Sequence, residues 1–458
     1  MGFSPEVAAI RFGEGLSPDV AAPRSVAALL DQLTSRDDAA KAHPVPHFET
    51  LRPRLAKVDQ LRRIYRQARD TADAAATQKA YADARGAARK VQETDLKHML
   101  ARSIRTQAPF RERLTRFWAD HFTVIGKNAI IRHAVPHYIE EAIRPNIAGR
   151  FSDLLKAAVL HPMMLQYLDQ IQSFGPNSPA ARGRRGLNEN LARELIELHT
   201  MGVGAGYSQT DVRQLSELLT GLTANLQRGF IFAPKRAEPG AETILGKTYG
   251  GGKPAIADIH AALDDLAAHP DTARHVARKL AVHFTSDTPD AGLIQSMTEA
   301  YMANSGALMP VYQALLEHPF TWDSFGQKVK QPIDLALSSM RVLAVPANSL
   351  LQLNRNQLRS YLGQPMAAMG QPIFAPNGPD GWPEEAEYWI TPQGLAARLQ
   401  WSLSMPSVVY RSLPDPRDFV GLALGDIADQ RVIFAAQSAE TRREGVGLVL
   451  ASPAFQRR

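Results

Sequence analysis

Apolar residues recur three or four positions apart along most of the chain, so the pattern predicts a mainly α protein. "AAPRSVAALLDQLTSRDD" reads as a short amphipathic helix with Ser25 as its cap and Leu29, Leu30 and Leu33 as its buried stripe. Leu55, Val58, Leu61, Ile64 and Tyr65 keep the same spacing in a helical region running to about Phe122. Within it, "DTADAAATQKAYADARGAARK" combines high helix propensity with little apolar bulk, which predicts a protruding, part-exposed helix. Two more helices are expected over "AVPHYIEEAIRPNIAGRFSDLLKAAVLHPMMLQYLDQ", followed by a basic loop over 173–186. Another helix is expected over 208–223, with Ser208 and Asp211 spaced as a capping box.

The helical period fails in two places. Residues 224–256 are rich in Gly and Pro and read as short strands or a hairpin. Residues 363–392 read as one long Pro/Gly-rich loop, a length that in a compact domain usually serves a site. No repeat period is visible. The expected architecture is a single large helical domain over 1–458: a multi-helix bundle with a small β-containing insert around 224–256 and a long loop around 363–392. A subdivision into 1–223 and 224–458 is the alternative.

Chemistry concentrates in "LNENLARELIELHTMGVGAGYSQTDV", Leu187 to Val212. On a helix, Asn190, Arg193, Glu194 and Glu197 share one narrow polar face, while Leu191, Leu195 and Leu198 form an adjoining apolar stripe. Two carboxylates one turn apart in a buried setting cannot both ionise cheaply, so one pKa should rise, as a general acid or a metal site requires. Glu194, Glu197 and Asp211 are therefore the candidate catalytic residues. Asn190, Arg193, Tyr207, Trp118 and Glu238 are the candidate substrate-binding residues. His199 falls off the acidic face, so a metal site would need a histidine from elsewhere. Glu194 and Glu197 with His121 and His161 are the candidate ligands for a divalent cation, with His137 as a further possibility. The plain structural reading stays open beside these. Glu189 and Arg193 have the spacing of a helix salt bridge, and Asn188 and Asp211 have positions suited to capping.

Composition narrows the classes. The chain has 458 residues, 45% of them hydrophobic, which suits a globular protein with a sizeable core. It has 0 cysteines, so disulfides, thiolate nucleophiles, iron–sulfur clusters and cysteine-ligated zinc are excluded. The N-terminus shows no basic segment followed by an apolar one, and no apolar run reaches the roughly 18 residues of a membrane span. A cytoplasmic chain is the expectation, with a periplasmic one, co-exported with a partner, as the alternative. Net charge is +6. Arg62, Arg63, Arg66, Arg69, Arg85, Arg89 and Lys90 could attract a polyanion, but acids are interspersed and no aromatic platform accompanies them, so nucleic acid is an improbable partner.

"GPNSPAARGRRGLNENLARELIELHTMGVGAGYSQTDVRQLSELLTGLT" resembles the hallmark segment of a bacterial family, domain of unknown function 1800, and "RFWADHFTV", "HPMMLQYLD", "HPDTARHVARKLAVHF" and "GPDGWPEEAEYW" resemble its flanking blocks. The resemblance spans nearly the whole chain. It implies a largely helical fold and no defined reaction. It also implies a companion protein resembling alkaline phosphatases and sulfatases, and a shared task at the cell envelope. Related sequences read HEPG where this chain has Ala237-Glu238-Pro239-Gly240, so an imidazole is missing here. Two functions fit these residues. One is a carboxylate-dependent, metal-assisted or metal-free hydrolase acting on a polar or anionic envelope glycan or ester. The other is a non-catalytic partner that assists folding, export or localisation of the companion protein.

Overall fold

The computed structural model describes residues 2–128, 130–181, 186–410 and 412–458, and these are mainly helical, with two small two-stranded sheets. Part of the basic loop expected over 173–186 lies outside the described residues. Ser25 caps the helix Val26–Thr34 as expected, its hydroxyl accepting from the Ala28 N–H at 3.1 Å. The helices Phe48–Gln67 and Ala74–Arg105 pack on each other, with Tyr65 stacked on Tyr81 at 6.1 Å between ring centroids. The Ala-rich first half of the second helix is exposed or half-buried along most of its length, because methyl side chains give a neighbour little to cover. Among the described residues no helix is long and apolar enough to cross a membrane.

Apolar side chains gather in two cores. The first draws on residues 7–322 and centres on large rings such as Phe12, Phe110, Trp118, Phe284 and Tyr312. The second is built by residues 335–455, chiefly the helices Pro332–Val342, Pro392–Ser404, Pro416–Leu424 and Arg442–Ala451. Leu100 and Ile104, near the end of the 74–105 helix, reach into the second core, so this long helix serves both. The change from one core to the other falls near residue 330, and the β-containing insert packs with the first.

That insert is two antiparallel hairpins, β1 (Leu222–Asn225) with β2 (Gly229–Phe232) and β3 (Ala241–Ile244) with β4 (Lys247–Gly250). The second hairpin packs on the helix Gln209–Leu218. The expected capping box at that helix is present, and Asp211 also accepts the Leu245 N–H from the turn between β3 and β4 at 2.7 Å. The long loop is shorter than its composition suggests. Residues Arg359–Gly363 form a π-turn and Gln364–Ala368 an α-turn, and the chain is helical again over Ala386–Trp389, leaving about 370–385 irregular. Pro365 stands inside this helical run, just after the π-turn, and does not break it.

Candidate functional site

The helix expected over 188–201 is two short pieces, α-helical over Asn190–Glu194 and π-helical over Leu195–His199. Asn188 starts it, its side-chain oxygen accepting the Asn190 N–H at 2.9 Å. At the other end Gly202 takes φ +92°, and a Cβ there would lie 2.7 Å from His275 Nδ1, so both the turn and the close ring require glycine. The widened π-turn leaves two carbonyls for side chains. His275 Nε2 lies 3.0 Å from Leu198 O and His121 Nε2 lies 3.1 Å from His199 O. Such single π-turns inside helices occur frequently at functional sites.

The faces divide largely as the spacing predicts, except that Leu198 of the expected apolar stripe is only half-buried. Leu191, Ala192, Leu195, Ile196 and His199 are buried, Arg193, Glu194 and Glu197 are half-buried, and Asn190 is exposed. Arg193 bridges Glu189 at 3.3 Å and Glu197 at 3.4 Å, and also reaches Gln209 at 3.1 Å. The Tyr207 hydroxyl faces Glu197, and burial and then that carboxylate raise its pKa. Glu194, by contrast, has no hydrogen-bond partner among the described residues. Burial raises its pKa, the Glu197 and Asp380 carboxylates raise it further, and Arg193 opposes them. Asp380 stands on the irregular loop, which brings its carboxylate near Glu194. Tyr167 is the next neighbour, its hydroxyl pushed up to about 12 by burial and then by Glu194 and Asp380.

Asp120, at the end of the helix Pro109–His121, faces the same loop. Burial drives its pKa up to about 8, against the Lys279 ammonium and the Trp382 N–H, which donates to both of its oxygens at 3.0 and 3.1 Å. Gly381, at φ +81°, permits this approach, since a Cβ there would lie 2.7 Å from the Asp120 carbonyl oxygen. Behind Asp120 the ring of His121 lies 6.2 Å from that of His199 and 6.1 Å from that of His275. Burial keeps all three rings neutral and Lys279 adds to the effect, leaving His199 at about 3 and His275 at about 4.

Several expected site residues are placed elsewhere or otherwise engaged. Trp118 is fully buried and donates from Nε1 to the Tyr312 hydroxyl at 2.7 Å, so its ring offers no face to a substrate. Asp211 is occupied by its cap and by Leu245. Glu238 accepts from the Asn177 N–H at 2.9 Å and from its side-chain amide at 2.5 Å, and so fastens the 175–178 turn. Ala237 is buried beside Gly221 and Phe232. His161 caps the helix Pro162–Tyr167 through Nδ1, 3.1 Å from the Met163 N–H, with its ring against Phe48 and Tyr138. His137 sits between Pro46 O at 2.6 Å and Asp95 at 3.0 Å. Among the described residues no three His, Asp or Glu side chains are grouped closely enough to hold a metal ion, so Glu194, Glu197, His121 and His161 are not assembled as a ligand set.

The sequence pattern does not single out Asp120, His275, Lys279 or Asp380, nor the pair His283 and Glu384, whose Nδ1 and carboxylate lie 2.6 Å apart. The signal for Asp380 and Glu384 was the Asp-Gly-Trp-Pro-Glu run itself, a glycine-permitted turn carrying acids. The others share helices with obvious core residues and gave none. Comparison with curated proteins and with solved structures finds no match. The model of the family described as "Protein of unknown function (DUF1800)" matches residues 1–457, so the chain belongs to that family.

Proposed function

We propose that the protein is a hydrolase working through carboxyl groups, with Glu194 as its general acid, acting on a polar or anionic glycan or ester. One observation carries this reading. Glu194 is a reachable, half-buried carboxyl with no hydrogen-bond partner among the described residues, and its pKa is raised by burial and by two carboxylates. A general acid must hold its proton near the working pH and be free to give it up. Glu197, held by Arg193 and Tyr207, supplies a fixed carboxylate beside it. Exposed Asn190 and half-buried Arg193 stand at the rim, where a polar or anionic substrate group would be met.

The test is a panel of chromogenic esters, glycosides and phosphoesters. Turnover by the wild type should fall about 100-fold or more in Glu194→Gln with an unchanged urea midpoint, the size expected for losing a general acid. Turnover that survives the substitution within about twofold contradicts the role, and so does a wild type inactive across the panel.

A second reading, a non-catalytic partner of a phosphatase- or sulfatase-like protein, is favoured by a separate surface. Leu395, Leu399 and Leu403 recur every fourth residue on the 392–404 helix, and all three are exposed. A row of this kind is what a docked helix or sheet would cover. If that reading holds, Leu399→Glu abolishes co-purification with the companion protein and leaves panel turnover untouched. Unchanged co-purification removes it.

A further inference from the structure

Apart from the acidic face, the molecule holds a cavity of about 180 Å³ at the seam between its two cores. Its apolar wall includes Met99 and Leu100 of the 74–105 helix, Ile139, Leu337, and Ile373 and Phe374 of the irregular loop. Phe374 sits at φ +55°, a left-handed backbone that is strained for a bulky residue, and its ring is held against the first core. Neither Glu194 nor Glu197 lines this space, so a ligand bound in it would be independent of the hydrolase reading.

Two of the lining groups point to a ligand. Arg113 is buried and spends one terminal nitrogen on Asp334, at 3.0 Å, while its Nε and Nη2 have no partner among the described residues. Arg116 at 3.3 Å and Arg458 at 3.6 Å also face the Asp334 carboxylate, whose Oδ2 has no hydrogen-bond partner among the described residues. His283, also buried, gives Nδ1–H to Glu384 at 2.6 Å, which fixes the tautomer, and its Nε2 lone pair has no partner among the described residues. Buried polar atoms left this way are costly and mark a missing partner. Other charged groups in the wall are matched: Glu112 with Arg144 at 2.5 Å, Glu140 with Arg102 at 2.8 Å, Arg116 with Glu14, and Asp120 with the Trp382 N–H at 3.0 Å.

A donor and an acceptor near each other in the wall of a mostly apolar space suit a carboxylic acid. One oxygen would accept from Arg113 Nη2, and the other would share a proton with His283 Nε2. Cavities of about 150 Å³ lined by Leu, Ile and Phe take up benzene, so this one has room for a chain of about six carbons. We propose that the cavity binds a short-chain carboxylic acid, its head between Arg113 and His283 and its tail among the apolar side chains.

Proton balance gives the proposal a signature. At neutral pH the free ligand is a carboxylate and the His283 ring is neutral, since burial lowers its proton affinity. Binding places the carboxylate against Nε2, and the ring takes one proton from solvent to become an imidazolium between Glu384 and the ligand. The charged groups facing the ring are Glu384 from the loop, Arg113 from the 109–121 helix and Asp334 from the 332–342 helix. Lys328 stands behind Glu384, 3.0 Å from its second oxygen.

The experiment is a calorimetric titration with hexanoate at neutral pH in two buffers of different ionisation enthalpy. Saturable one-to-one binding with uptake of about one proton is expected. Hexan-1-ol should bind at least about tenfold more weakly, and His283→Gln should cost a similar factor and abolish the proton uptake, the worth of one charge-assisted hydrogen bond. Ile373→Trp, a change in the half-buried loop, should fill the cavity and remove binding while circular dichroism stays native. Glu194→Gln should bind hexanoate like the wild type even if the hydrolase reading fails. The proposal is overturned if wild type shows no saturable binding at millimolar hexanoate. Undiminished affinity in folded Ile373→Trp, or hexan-1-ol binding as tightly as the acid, also overturns it.

Discussion

Acidification below about pH 6.5 is expected to remove stability at a slope that steepens from about 2 to about 4 kcal/mol per pH unit by pH 5. His121, His161 and His199 are buried. Burial holds their rings neutral, with His161 and His199 brought down to about 3 and His121 also well below its ordinary value. In the unfolded chain each would titrate near pH 6.5. A histidine with a lowered folded pKa binds more protons when unfolded, so its contribution is lost as the pH falls through the unfolded value. The loss continues until the folded value is reached. Each such ring contributes up to about 1.4 kcal/mol per pH unit, and three make the slope stated above. His133 and His275, both lowered to about 4 by burial, act in the same direction. Glu384 joins later. His283 and Lys328 hold its carboxyl at about 2, so its stabilisation is present above the ordinary carboxyl pKa and is lost as the pH falls from there toward 2. A domain with the usual 5–15 kcal/mol would be unfolded within a few pH units. Urea unfolding at pH 7, 6 and 5 checks this. A stability that is flat over that range would mean that native His121 and His199 accept protons, and that the π-turn behind the acidic face is hydrated.

How far the sequence could be read depends on which interactions act locally. The mainly α class, the Ser25 cap, the Ser208–Asp211 box and the presence of a small β insert are legible because period, cap and turn chemistry act over a few residues, whereas its division into two hairpins is not. The acidic face was legible too, since helix spacing alone puts Arg193, Glu194 and Glu197 together. Its π-turn was not. Whether Leu195–His199 adopts the wider geometry depends on His121 and His275, far along the chain, meeting the two carbonyls that it frees. The same holds for Asp120. Burial raises its pKa, partly under a loop some 260 residues away that Gly381 allows to approach and whose Trp382 N–H opposes the rise, and nothing within "RFWADHF" announces that. Trp118 and Glu238 were read as substrate contacts because an aromatic and an acid beside a motif look available. Only tertiary packing could show one sealed in a core and the other fastening a turn.

Trp118→Ala should cost about 3–5 kcal/mol, the range for emptying a large aromatic site in a packed core. Its ring is fully buried, stacked near Phe122 at 6.1 Å and beside Phe151 at 5.8 Å between centroids. Its indole N–H begins a buried chain of hydrogen bonds, 2.7 Å to the Tyr312 hydroxyl, which donates in turn to Ile147 O at 2.7 Å. Alanine leaves a void and takes away one partner of that hydroxyl. Trp118→Phe keeps most of the volume and loses the donor, so about 1–3 kcal/mol is expected from it. The pair separates scaffold from substrate contact. The 109–121 helix carries Arg113 and Asp120 toward the cavity and His121 toward the π-turn behind the acidic face, and Trp118 anchors it from within the core. An anchor of this kind sets how much protein is folded, not how well the folded fraction works. In Trp118→Phe, then, the urea midpoint should drop, while turnover and hexanoate affinity per folded molecule stay within about twofold of the wild type. The opposite result, an unchanged midpoint with lost turnover, would place the indole against the substrate after all, and would require the first core to open there during the reaction.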